Sequence, residues 1–121
     1  MQLPQIGSAS YNGFMAGIAQ RGGNSPYLAS GSYQNTWNFQ TGRGAFAGSF
    51  DGRSYSGMTQ TTGGTGSTTF AGTFTGGHRS GSLSGGFFSS PSDVAAYQAG
   101  TFSIGGRHSH YRATGIFAGQ R

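Results

Sequence analysis

Large apolar residues fall at every second position along most of this chain, and glycine fills many places on the same parity. In GAFAGSFDGRSYSG, residues 44–57, Phe46, Gly48 and Phe50 share one parity while Ala45, Ala47 and Ser49 take the other. The same set returns as Phe70, Gly72 and Phe74, as Leu83, Gly85 and Phe87, and as Ala113, Gly115 and Phe117. A period of two is the mark of a strand with one buried face. No window carries the 3.6-residue apolar period of a helix over eleven residues or more.

Eight strands follow from this pattern. They are read over residues 11–19, 27–35, 44–50, 53–60, 67–75, 80–88, 101–104 and 110–118, with Trp37-Asn38-Phe39 continuing the second's parity across a bend into a separate short strand. Short glycine-rich turns separate them, and Asp51-Gly52 has the chemistry of a type I′ hairpin, which needs positive φ at both central residues. One segment departs from alternation. In SSPSDVAAYQAG, residues 89–100, Ser90 before Pro91 and then Asp93 predicts a capped helical turn near residues 91–97.

Hairpin following hairpin without a long return connection predicts a small, soluble, eight-stranded antiparallel up-and-down β-barrel, a single domain over residues 1–121. Closure removes both sheet edges, which a weakly charged surface cannot otherwise defend. Eight strands enclose a space that side chains just fill. Glycine among inward aromatics then leaves room for them and permits tight coiling. Opposite the aromatics stand mostly Ser, Thr, Ala, Gln and Asn, unlike the apolar outer band of a membrane-spanning barrel.

Composition narrows the partners. The chain has 25 glycines, no cysteine and no lysine; seven arginines face only Asp51 and Asp93, giving a net charge of +5. The arginines, at 21, 43, 53, 79, 107, 112 and 121, form no basic run, so no nucleic-acid partner is expected. Absence of cysteine removes a disulfide framework and a thiolate zinc site. The opening MQLPQIGSAS has neither the basic nor the apolar region of a signal peptide. Gly/Ser/Thr-rich, lysine-free composition fits bacterial surface and secreted proteins. An exported chain of this kind would be a mature fragment or the C-terminal domain of something longer.

The segments RSGSLSGGFFSSPSDVAAYQAGTFSI and YRATGIFAGQR resemble the closing half of the β-barrel domain in bacterial transferrin-binding protein B and its relatives. Gly85-Gly86-Phe87, Pro91, Ala95, Gly100 and Phe102 echo that family's connection into its final hairpin, and Gly115, Phe117 and Gly119 echo its G-x-F-x-G ending. NTWNFQTGRGAFAGSFDG is similar to the family's paired strands upstream. Tyr97-Gln98 stands near the place where the family often has a glutamate, and the family's handle domains have no counterpart here. The resemblance implies an eight-stranded barrel in an exported, surface-displayed binding protein, often linked to iron or haem acquisition or to a host protein.

Catalytic chemistry has few candidates. There is no glutamate; Asp51 is accounted for by its turn and Asp93 by a helix N-terminus. No serine has nucleophile-elbow context, so the chain reads as a non-enzyme. For ligand binding, His108 and His110 share one face about 7 Å apart in an extended segment. With His78 from another turn they are weak candidates for a metal or haem iron; solvated histidines at a hairpin tip are the simpler account. Phe88, beside Phe87, with Tyr97 and Tyr111, makes an outward aromatic set that would mark a protein or cell-surface partner. Self-assembly into a surface layer or filament is the alternative, favoured by low charge and abundant Gly, Ser and Thr.

Overall fold

In the computed structural model, which describes residues 7–63, 67–106 and 110–121, the chain forms eight antiparallel strands. They are β1 (Ser8–Arg21), β2 (Tyr27–Asn38), β3 (Arg43–Phe50), β4 (Arg53–Thr61), β5 (Thr69–Gly76), β6 (Arg79–Ser90), β7 (Asp93–Gly106) and β8 (Tyr111–Gln120). Each pairs with the next, and β8 returns to β1 along Asn12↔Gln120 to Arg21↔Tyr111, closing an up-and-down barrel. The turns after β1, β3 and β5, with the start of β8, lie at one end. Those after β2 and β6, with the C-terminus, lie at the other.

The inward parity is the one the alternation indicates. Phe46, Phe50, Phe70, Phe74, Leu83, Phe87, Phe102, Ile104 and Phe117 are all buried. They fill the interior with Tyr11, Met15, Tyr33, Trp37 and Tyr55. Ring contacts are close throughout: Trp37 to Phe87 at 5.0 Å, Phe46 to Phe74 at 5.2 Å and Phe50 to Phe102 at 5.0 Å between centroids.

Inward glycines are what let this wall curve around so many rings. A Cβ on Gly31 would stand 1.7 Å from the Ser49 carbonyl oxygen on the neighbouring strand, so any side chain there would push β2 off β3. Gly48 is looser: its Cβ would lie 3.2 Å from both Phe46 and the Tyr33 Cβ, so the room it leaves serves those two residues.

At the β3–β4 turn, Asp51 and Gly52 have φ of 53° and 77°, as a type I′ hairpin requires. Two expectations are corrected. β2 runs unbroken to Asn38, so Trp37 needs no strand of its own. Residues 91–97 form no helical turn: Ser90 pairs with Asp93 across a two-residue turn at Pro91-Ser92, and β7 begins at once. Ser-Pro at the first two turn positions suits a β-turn as well as a helix start, and pairing with β6 decides between them. The offset between Phe88↔Tyr97 and Ser90↔Asp93 makes a bulge at residues 94–96. Ala95 sits there at φ 55°, its N–H donating to Ser89 Oγ and its carbonyl accepting from the Tyr11 hydroxyl at 2.5 Å.

Candidate functional site

The outer wall has two unlike sides. On β4 to β7 the outward residues are chiefly hydroxyls, with Met58, Thr73, Ser82 and Ser103 in one cross-strand row and Ala71, Ser84 and Thr101 in the next. They line a shallow groove of about 1090 Å³. On β8, β1 and β2 large apolar residues stand outward among polar ones such as Ser30, Ser32 and Thr114. Phe14, Ile18, Leu28 and Ile116 stand half exposed or more, Leu28 to 85%. Ile18 and Leu28 are cross-strand partners, and with Ile116 they border a second open groove of about 810 Å³.

Phe88 and Tyr97 also face outward and are cross-strand partners. Their own row runs on into Gln120, Asn12 and Gln34, while the next row holds Ala99, Ala118 and Phe14, so the apolar positions step diagonally across the wall toward Ile18 and Leu28. The sequence reading identified Phe88 and Tyr97 but passed over Phe14, Ile18, Leu28 and Ile116. The signal was available: adjacent apolar pairs Phe14-Met15 and Ile116-Phe117 place one member outside, by the same logic as Phe87-Phe88.

Tyr111 does not join this surface. It is 1% exposed and points into the barrel, because its parity is that of Ala113 and Phe117. Its hydroxyl donates to Asp51 Oδ2 at 2.9 Å, and the Tyr27 hydroxyl donates to the same oxygen at 2.5 Å. Arg21 donates through Nε to the Tyr27 hydroxyl at 2.9 Å and brings Nη2 within 3.6 Å of the carboxylate. Arg79 lies over the Tyr111 ring, its guanidinium carbon 3.7 Å from the centroid. Asp51 is thus more than a turn former; it gathers strands that meet only in the closed barrel.

Ionisation follows these contacts. Burial works against the Asp51 charge, but hydrogen bonds from Tyr27 and Tyr111, with Arg21 and Arg79 nearby, outweigh it and hold the carboxyl below its ordinary value. Burial, reinforced by the Asp51 contact, pushes Tyr111 well above an ordinary phenol. At the opposite end burial raises Tyr11 to about 12.

His78 and His110 are both exposed at this polar end, His110 at φ 51° just before β8. His108 lies outside the described residues. Among the described residues no three His, Asp or Glu side chains are grouped to hold a metal ion. Asp51 and Asp93 sit at opposite ends of the barrel, so the two carboxylates cannot work together on one bond. Asp93, at the first residue of β7 rather than at a helix start, instead pairs with Arg121. Inside, Gln98 Oε1 accepts from Tyr33 and Asn35, and Asn35 accepts from Thr59, a buried polar brace between β2, β4 and β7. Among the described residues no helix is long and apolar enough to cross a membrane. No protein-family model matches the chain, and no curated protein sequence matches it.

Proposed function

We propose that this chain is a non-catalytic, exported binding module of the transferrin-binding protein B kind, whose partner docks on the outer wall. One observation carries the reading: large apolar side chains stand outward at Phe88 and Tyr97, at Phe14 and Ile116, and at Ile18 and Leu28, while rings occupy the interior. A partner gains most where water already covers apolar surface, and exposed apolar surface of this kind marks an interaction site. The resemblance in spacing supplies the class of partner, a host iron-carrying protein or haem. The hydroxyl-lined side of the wall supports an aqueous barrel against a lipid-facing one.

The test is surface plasmon resonance of the immobilised chain against transferrin and haemoglobin, with a haem titration beside it. Leu28→Ser and Ile116→Ser should abolish protein binding while Met58→Ser, on the other side of the wall, leaves it intact. Absence of binding to both proteins and of any Soret shift would overturn the reading, as would equal binding by all three variants.

The same positions also favour a second reading, a subunit of a surface assembly, because they carry no charge that would repel another copy. Sedimentation at rising concentration separates the two: association abolished by Leu28→Ser supports assembly, and a persistent monomer removes it.

A further inference from the structure

The polar mouth holds a nearly buried cation that favours the Asp51 charge from nearby but, among the described residues, has no carboxylate within 4 Å. Arg79 occupies an inward position at the start of β6 and is only 9% exposed. Burying a charge is costly without a partner of opposite sign. The chain's two carboxylates are already engaged: Asp51 by two tyrosine hydroxyls and Arg21, and Asp93 by Arg121 at the far end. Among the described residues the Arg79 guanidinium makes no ion pair and no hydrogen bond; the face of Tyr111 is what it touches. A guanidinium carries five N–H donors in a planar fork, and ring stacking satisfies none of them.

A second guanidinium converges on the same turn. Gly77, at φ 64°, leaves the space in which Arg53 lies: a Cβ there would meet Arg53 Nη1 at 2.4 Å. Arg53 therefore rests against the β5–β6 turn two residues before Arg79, and it too has no carboxylate within 4 Å. Arg21 and Arg112 lie at the same end of the barrel. Among the described residues, four guanidiniums against one carboxylate leave this end with a clear positive surplus.

We propose that the polar mouth is a phosphate-binding site in which Arg79 and Arg53 supply the donors. A tetrahedral oxyanion accepts from two guanidinium forks at once, and its charge offsets the surplus that Asp51 leaves. Tyr111 holds the Arg79 plane by stacking, so the donors are oriented before the anion arrives. Free phosphate and a phosphorylated lipid headgroup present the same chemistry to this site. The proposal does not depend on docking at the wall, which lies on other residues.

The experiment is calorimetric titration of the full chain with inorganic phosphate, against chloride at matched ionic strength, with thermal unfolding in parallel. Phosphate should bind saturably and raise Tm. Arg79→Lys keeps the charge but loses the fork, and Arg53→Gln removes an exposed donor without touching the core. Each should weaken phosphate about tenfold or more, as expected for losing a charge-assisted hydrogen bond. Arg43→Gln, at the opposite end, should leave it unchanged. Vesicles of phosphatidylcholine with and without phosphatidic acid form the second arm. Retention on the acidic vesicles, competed by phosphate, assigns a headgroup; phosphate binding without retention assigns a soluble ligand. A response to phosphate no larger than to chloride overturns the proposal. So does a response that Arg53→Gln and Arg43→Gln alter equally, which keeps the test valid if Arg79→Lys fails to fold.

Discussion

The two ends of this barrel are closed by different physics. At one, Phe87 is packed among Trp37, Phe70, Tyr11 and Phe39, with ring centroids 5.0 to 6.1 Å apart, beneath the bulge at Ala95. At the other, Asp51 collects Tyr27, Tyr111 and Arg21 while Arg79 stacks on Tyr111. The first closure is apolar and indifferent to pH across the physiological range. The second is directional, depends on one ionised carboxylate and, among the described residues, leaves Arg53 and Arg79 without an ion pair. An apolar plug seals; a charged one can exchange partners with solvent.

The largest expected effect is at the aromatic end. Phe87→Ala removes the ring that touches four others and should cost about 3–5 kcal/mol, read by urea unfolding. An equal loss from Asp51→Asn would erase the contrast between the ends. That substitution keeps the shape but gives up the charge, and about 1–3 kcal/mol is expected from the hydrogen bonds it weakens.

The pH dependence sharpens the same contrast. Asp51 has a folded pKa below its unfolded value of 3.8, so its contribution is present above that value and lost as pH falls through the folded one. The acid limb of stability against pH should therefore flatten in Asp51→Asn. Tyr11 has the opposite sign. Its folded pKa of about 12 exceeds the unfolded 10.0, so its contribution is full below pH 10 and lost as pH rises toward 12. Tyr11→Phe should flatten part of the alkaline limb and leave the acid limb alone.

Smallest of all is the exposed Arg121–Asp93 pair. Asp93→Asn should change stability by less than about 1 kcal/mol and lose even that in high salt. A larger loss would mean that the aromatic end also relies on charge.

How much was legible depends on range along the chain. Facing positions in β3 and β5 could be read because only one parity carries large apolar residues there, as in Phe70, Gly72 and Phe74. In β1 and β8 both parities carry apolar residues, so alternation alone hides the outward role of Phe14, Ile18 and Ile116. Carrying the parity of Ala113, Gly115 and Phe117 back two residues places Tyr111 inside, and it lies there. The helical turn at residues 91–97 failed for a different reason: Ser-Pro-Ser-Asp is a local signal shared by a helix start and a β-turn, and β6 pairing chooses. The mouth was hidden more deeply, since Tyr27 and Tyr111 lie 24 and 60 residues from Asp51.

By itself the sequence determined the period of two, the tight turns and an interior of rings spaced by glycine, because sterics and burial act on neighbouring residues. The eight-stranded antiparallel barrel followed from these. Only the tertiary structure decided which residues share a wall or a mouth. Closing β8 onto β1 sets Ile116 opposite Ala16, one diagonal step from Ile18, and the closed barrel brings the Tyr111 hydroxyl to Asp51 and Arg79 onto the Tyr111 ring, neighbours that no local rule connects.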